Sequence, residues 1–272
     1  MKTYLSFALL LGAFSVFGQD ANDYQKPPQE IADLLLAKPT PQIRVDGKAE
    51  WMLQVSRNSY PTVEELGQPE SRIAGLRINP LNYALSRQVY SNQMELKNLT
   101  TKATFAIKGL PKNLNASSIT WSPSDSKIAF LQTEFDRVDL YVLDVASKTA
   151  KRINSRPVNA ILGNAFVWID DNSIVYKAAL APSNQAPKRG ITPKGPTIQE
   201  TAGKSAPRPT FQDLIKSPYD EQLFAFFATS QLVVNRNGLD QFIGKPELIN
   251  SFQLSPNKAY LLTRVIQKPF SY

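Results

Sequence analysis

Three neighbouring acidic pairs, Glu64/Glu65, Asp170/Asp171 and Asp220/Glu221, are the residues whose type most readily suggests acid–base chemistry. Glycoside hydrolysis needs two carboxyl groups opposed across a bond, roughly 5–10 Å apart, and adjacent residues do not oppose one another in that way. Asp170-Asp171-Asn172 reads more simply as a turn between strands. Gly203-Lys204-Ser205 imitates the end of a phosphate-binding loop, but Ile198 stands where the motif needs its first glycine, and no strand precedes it. The chain has neither histidine nor cysteine. No Ser-His-Asp or Cys-His site can therefore be assembled within it, and zinc sites built on those ligands are excluded. The nucleophile elbow G-x-S-x-G is absent too. The expectation is a chain with no catalytic residue, no metal site and no cofactor of its own.

Charge points to no nucleic acid. The net charge is +8, but its one concentration, Lys188, Arg189, Lys194, Lys204 and Arg208, lies in a Pro-rich stretch, 182–209, that holds no aromatic residue. A single-strand surface interleaves its cations with aromatic rings, so this stretch reads as a solvated loop. Asn98-Leu99-Thr100 and Asn115-Ala116-Ser117 match the short glycosylation pattern. At the start, Lys2 precedes an uncharged apolar run, Tyr4–Val16, and then Val16-Phe17-Gly18. This is the pattern of a signal peptide, 1–18, cut between Gly18 and Gln19. The run is too short to span a bilayer, and no cysteine follows it for lipid attachment. The expected product is exported to a periplasm or the medium of a bacterium, without disulfides and without a stable membrane anchor.

The elements around these residues are mostly strands. Segment 19–40 carries one short helix: Pro27 and Pro28 open it, Ile31, Leu34 and Leu35 share a face, and Pro39 follows. From Pro41 onward the apolar period becomes strand-like. Within it one pattern recurs. "WSPSDSKIAFL" and "LSPNKAYLLT" place a Ser-Pro turn before a strand, with Ile128 six residues after Ser122 and Leu261 six after Ser255. "RVDGKAEWMLQ" is a looser copy, with Trp51 six residues after Val45. "WIDDNSIVYKA" is one residue shorter, with Trp168 and Ile174 in the places of Trp121 and Ile128. Internal repetition of turn and strand, at a spacing near 40–45 residues between Ile128 and Ile174, suits the blades of a propeller. The other two gaps are nearly twice as long, and each has room for a second blade or a large insertion. Trp51, Trp121 and Trp168 are expected to pack the core.

The strands of Ile119–Val145 are apolar on both faces. Leu140 and Val142 point one way, Tyr141, Leu143 and Val145 the other, and Ile128 with Phe130 alternates with Ala129 and Leu131. Such strands must be covered on both sides, as blades are by their neighbours. Ile119–Val145 should supply three strands of one blade. A helix interrupts later: Ser217 is its N-cap, Pro218 its first residue, Asp220 and Glu221 its first turn, and Leu223, Phe226 and Phe227 its apolar face. A hairpin with Asn237-Gly238 at its turn follows. The expected fold is all-β: a partial β-propeller of four-stranded antiparallel blades over 41–272, with a short N-terminal helix and one inserted helix near 218–229.

Three segments carry a resemblance. "PTVEELGQPESRIAGLRINP" (Pro61–Pro80), "RPTFQDLIKSPYDEQLFAFFATSQLVV" (Arg208–Val234) and "LSPNKAYLLTRVIQKPFSY" (Leu254–Tyr272) resemble the N-terminal half of a prolyl oligopeptidase-family serine peptidase, in the branch that contains glutamyl endopeptidases. The resemblance implies a seven-bladed propeller ahead of an α/β-hydrolase domain with a Ser-Asp-His triad, the propeller restricting which substrates reach it. It implies that this chain is a non-catalytic propeller fragment of an exported peptidase. Its partners would be the C-terminal hydrolase domain and peptide substrates. The motif breaks off at Tyr272, so one face of the last blade, with Tyr260–Val265 and Phe270–Tyr272, is expected near open surface. A non-enzymatic periplasmic propeller that binds a protein or peptide fits the lack of histidine equally well. A reading frame continuing past Tyr272 into G-x-S-x-G separates the two.

Overall fold

A computed structural model of the chain describes residues 27–190, 203 and 212–270. Two compact units divide between Lys38 and Pro39. In the first, Pro28 caps helix α1 (Gln29–Leu36), as the paired prolines predict, and none of its residues is buried. The expected face, Ile31, Leu34 and Leu35, is exposed throughout.

The second unit is built from antiparallel sheets in chain order. Blade one contains β1 (Gln42–Val45) and β2 (Trp51–Ser56). An insertion follows, holding α2 (Val63–Leu66), β3 (Ser71–Ile73), β4 (Leu76–Asn79) and β5 (Ala84–Leu85). The blade is completed by β6 (Gln93–Asn98) and β7 (Thr104–Ala106). Blade two is an uninterrupted meander of β8 (Ala116–Trp121), β9 (Lys127–Thr133), β10 (Val138–Asp144) and β11 (Thr149–Arg152). Blade three begins with β12 (Phe166–Asp170) and β13 (Ser173–Ala179). A second insertion contains α3 (Pro218–Ala228), and then β14 (Ser230–Arg236) and β15 (Leu239–Glu247) complete the blade. Strands β16 (Ile249–Leu254) and β17 (Leu261–Val265) form a two-stranded sheet. The three complete sheets run β1-β2-β6-β7, β8-β9-β10-β11 and β12-β13-β14-β15. This is a partial β-propeller of four-stranded antiparallel blades.

The two-faced strand pattern is the reason the sheets stack. Leu140, Val142, Ala129 and Leu131 pack with Phe166, Ile174 and Tyr176 of blade three. Their alternates, Leu143, Val145, Ile128 and Phe130, pack with Leu53, Val55 and Leu96 of blade one. A third layer joins Val175 and Val234 to Ile249 and Phe252. Ile119–Val145 thus supplies three strands of one blade, with each side chain on the expected side. At the outer face of the last sheet Tyr260 is 74% and Leu262 64% exposed. Phe270 departs from expectation: it is buried against Phe224, ring centroids 5.4 Å apart. Ser271 and Tyr272 lie outside the described residues.

The four recurrent turns are the links between the first two strands of successive sheets. In three of them one residue, Asp46, Ser122 or Ser255, organises the turn. Its backbone N–H donates to the carbonyl five residues on, at 2.8–3.0 Å. Its side-chain oxygen accepts from the N–H of that same residue, Trp51, Lys127 or Tyr260, at 3.0–3.1 Å. The fourth residue, Ala49, Asp125 or Lys258, takes a left-handed φ of 55–63°. This corrects the loose copy by one position. The turn needs a side-chain acceptor, which Asp46 has and Val45 lacks, so Met52, not Trp51, matches Ile128 and Leu261. In the shorter copy Trp168 pairs with Ile174 as Trp121 pairs with Ile128. Asp170 accepts from the Asn172 N–H at 2.8 Å, so this acidic pair is a turn. Among the described residues neither long gap holds a second blade; each holds an insertion between the second and third strands of its sheet.

Candidate functional site

In an antiparallel meander, alternate connections emerge at opposite ends of the strands. At one end lie the four short turns just described, and the first three are tied blade to blade. Asp125 accepts from the Gly47 N–H at 3.1 Å, and Asp171 from the Ser124 N–H at 3.1 Å. The Asp171 carboxyl is held below its ordinary pKa, chiefly by Ser124. This end is closed and regular. At the other end both insertions emerge.

The first insertion reaches across blade two. The amide of Asn82, which is buried, donates to the carbonyl of Glu134 in the turn between β9 and β10, at 3.0 Å. Beyond it, Tyr83 meets the second insertion. Its hydroxyl donates to the Ala181 carbonyl at 2.7 Å, and its ring lies 5.5 Å from that of Phe227. Burial pushes the Tyr83 phenol up to about 12. The Gly75 N–H donates to Asp213 at 3.0 Å. Asn159, between blades two and three, donates to the carbonyls of Phe227 and Thr229 at 2.8 and 3.2 Å. Lys268, beyond β17, reaches Glu221 at 2.7 Å. Ile73, Ile78, Phe224, Phe227 and Phe270 form one apolar cluster. The insertions make a single cap over this end of the blades.

Helix α3 starts as its sequence dictates. The Ser217 hydroxyl accepts from the Asp220 N–H at 3.2 Å, and Pro218 occupies the first turn. Its buried face is Phe224, Phe227 and Ala228; Leu223 and Phe226 are only partly buried. The difference arises because Phe270 approaches from the last sheet while Tyr83 approaches from the first insertion, so the helix is gripped from two directions. Arg189 lies against it, 4.0 Å from Asp220 and over the Tyr219 ring. Of the other basic residues in its stretch, Lys194, Lys204 and Arg208 lie outside the described residues, as do Ile198, Gly18 and Gln19. Glu64 and Glu65 belong to α2, where Glu65 and Thr62 form a capping box.

A cavity of about 290 Å³ opens within the first insertion, between the segments 57–61 and 85–90 and the end of α2. Its ends are pinned by Asn92, whose side-chain oxygen accepts from the Asn58 N–H at 3.0 Å. Burial raises the pKa of Tyr90, which bonds Thr133 of blade two. No motif in the sequence marks this cavity, although the Pro61–Pro80 segment forms part of its wall. The tryptophans pack against the blade cores, Trp51 and Trp121 on one layer and Trp168 on the next; Trp51 also lies 5.9 Å from Phe105, with Lys148 over both rings. Among the described residues no acidic, histidine or cysteine cluster is arranged to hold a metal ion, and no helix is long and apolar enough to cross a membrane.

No family model matches the chain. It is 30% identical over 266 residues to a probable chloroplastic glutamyl endopeptidase of Oryza sativa subsp. japonica, covering 92% of this chain and 28% of that protein. The chain is a homologue of the glutamyl endopeptidases. The corresponding protein of Arabidopsis thaliana is also 30% identical, over 267 residues, with 92% and 27% covered. The chain thus spans about a quarter of the length of these curated relatives, 28% and 27%. Solved structures with some likeness include the tricorn protease, with a TM-score of 0.37 at 8% identity, covering 82% of this chain and 20% of that one. Pyrococcus horikoshii acylaminoacyl peptidase gives 0.32 at 11%, covering 83% and 35%.

Proposed function

We propose that the chain is the non-catalytic propeller part of an exported serine peptidase, and that its capped end controls which peptides reach a hydrolase domain. The observation that carries this reading is the homology to glutamyl endopeptidases along 92% of the chain. The chain itself has no histidine and so cannot supply the base of a Ser-His-Asp triad. Its contribution is therefore selection and positioning. Both insertions gather at one end of the blades, which gives selection a place to act. The apolar stretch Tyr4–Val16 and the step at Gly18–Gln19 support export. Peptides cut after glutamate are the substrates that the relatives' names suggest.

The test compares two products of the gene: this chain alone, and whatever longer product is translated through it. The longer product should hydrolyse a glutamyl peptide and react with a fluorophosphonate, while the 272-residue chain does neither. A stop codon directly after Tyr272, in a protein that accumulates stably outside the cytoplasm, would overturn the peptidase reading in favour of a peptide-binding propeller.

A further inference from the structure

We propose that the outer rim of blade two, with the β6–β7 hairpin beside it, is a contact surface for an anionic phospholipid membrane. Only export is taken from the reading above, because export brings the chain to membranes. The stretches 96–124 and 145–169 contain no acid and eight lysines and arginines. The chain has 31 basic and 23 acidic residues, so the other 23 basic residues balance the acids. The whole net charge of +8 therefore stands in these two stretches.

The fold sets them side by side. The Lys108 N–H donates to the Lys148 carbonyl at 2.9 Å, and the Ala150 N–H to the Lys108 carbonyl at 2.8 Å. Gly109 allows this approach, since a Cβ there would collide with the Ala150 oxygen. Lys148 Nζ lies 4.6 Å from the centre of the Phe105 ring, which draws the hairpin, with Lys102 between its strands, against the rim. Strand β11 is the edge of its sheet, and its Lys151 and Arg152 are exposed. Among the described residues Lys102, Lys108, Lys112, Lys148 and Lys151 have no ion pair. Two acids border them: Glu50, whose carbonyl accepts from the Leu99 N–H, and Asp144, whose carboxylate accepts from the Ser147 N–H and hydroxyl at 2.8 Å each. A third, Asp139, is buried and shared by Arg137 and Arg152. Glu95 and Lys97 share the other face of blade one, opposite the buried Met94 and Leu96, and cancel. Five lysines against two carboxylates leave a cationic surplus.

The residue types select the partner. Lysine is a hydrated point charge on a flexible stem, without the planar fork by which arginine grips a single phosphate. Lysines spread along a rim suit a diffuse layer of phosphates. Neither stretch holds an exposed large apolar residue, so the contact is electrostatic and reversible, without insertion. Trp51 and Phe105 are half-buried beneath Lys148 and offer no platform for the stacked bases of a single-stranded nucleic acid.

The test is co-flotation with vesicles, using the chain from Gln19 so that the apolar run Tyr4–Val16 cannot itself enter the bilayer. The chain should float with phosphatidylcholine vesicles containing about one-third phosphatidylglycerol, and not with phosphatidylcholine alone. Salt at about 0.5 M should release it. Lys108→Gln with Lys151→Gln should weaken binding about 25-fold, about five-fold for each charge near the surface, without moving the unfolding midpoint. Lys216→Gln with Arg264→Gln removes two exposed cations from the second insertion and β17, and should change binding less than about two-fold. Binding to both vesicle types or to neither, or equal losses in the two pairs, overturns the proposal. So does an oligothymidylate that displaces the chain from vesicles at equal phosphate concentration, which would make this a nucleic-acid surface. The readout needs no hydrolase domain, so it succeeds or fails apart from the peptidase reading.

Discussion

Lys177 offers the sharpest test of how the blades are packed. It lies on β13, is 1% exposed, and has no carboxylate partner among the described residues. Its ammonium donates to the carbonyl of Leu162, and to that of Ile249 at 3.4 Å, bridging blade three to the last sheet. Burial depresses its pKa from the ordinary 10.5 to about 8. Each pH unit of displacement is worth about 1.4 kcal/mol, so the charged form costs the folded chain about 3 kcal/mol at neutral pH. The sign follows from proton counting. Between about 8 and 10.5 the unfolded chain holds the proton and the folded chain does not, so stability rises with pH there and is flat below. Tyr83 and Tyr176, whose pKa values burial raises, act oppositely above pH 10, when the unfolded chain ionises first. The clean window is therefore pH 7.5–9.5, where the gain is about 2 kcal/mol. Urea unfolding followed by tryptophan fluorescence should show this rise, and Lys177→Met should abolish it. At pH 7 the variant should lie within about 1 kcal/mol of the parent, because relief of the charge is offset by two carbonyls left without a donor. A flat profile in the parent, or an unchanged slope in Lys177→Met, would refute the reasoning.

Two further outcomes are expected. Phe224→Ala removes a buried ring packed edge-on against Phe270; it should cost about 3–5 kcal/mol in chemical unfolding and expose the second insertion to limited proteolysis before the blades. Asp171→Asn weakens the tie from blade three to the Ser124 N–H of blade two. Because the Asp171 pKa is depressed on folding, its contribution is present above the unfolded value of 3.8 and lost as pH falls through the lower folded value. As the group is largely exposed, the variant should lose a few tenths of a kcal/mol at pH 7 and show a slightly shallower acid limb in a pH titration of unfolding.

What was legible in the sequence was whatever is local. The turns at Ser122 and Ser255 announce themselves because acceptor, left-handed residue and returning strand lie within six residues of each other. The sidedness of Leu140 and Leu143 follows from strand alternation alone. The Asn237-Gly238 turn appears as expected, with φ of 53° and 88°. The loose copy slipped by one position because Val45 and Asp46 differ only in which can accept the Trp51 N–H. The cap was illegible for another reason. It depends on Tyr83 meeting Phe227 and Ala181, contacts that no sequence period links. Lys177 was equally hidden: a lysine in an apolar strand ordinarily extends its ammonium to water, and only the packing of the last sheet closes that route.

The cap changes how the molecule can come apart. In a row of stacked repeats each unit feels only its neighbours, so disorder spreads one interface at a time and the ends fray independently. Here the first insertion steps over blade two to the second insertion, through Tyr83 and Gly75. The segment after β17 joins them through Lys268 and Phe270. The cap is a tie-beam between blades one and three. Blade one cannot detach without releasing the beam from blade three. Cutting the tie at Tyr83 in the first insertion would accordingly loosen blade three, and faster hydrogen exchange in β13 and β14 would report it.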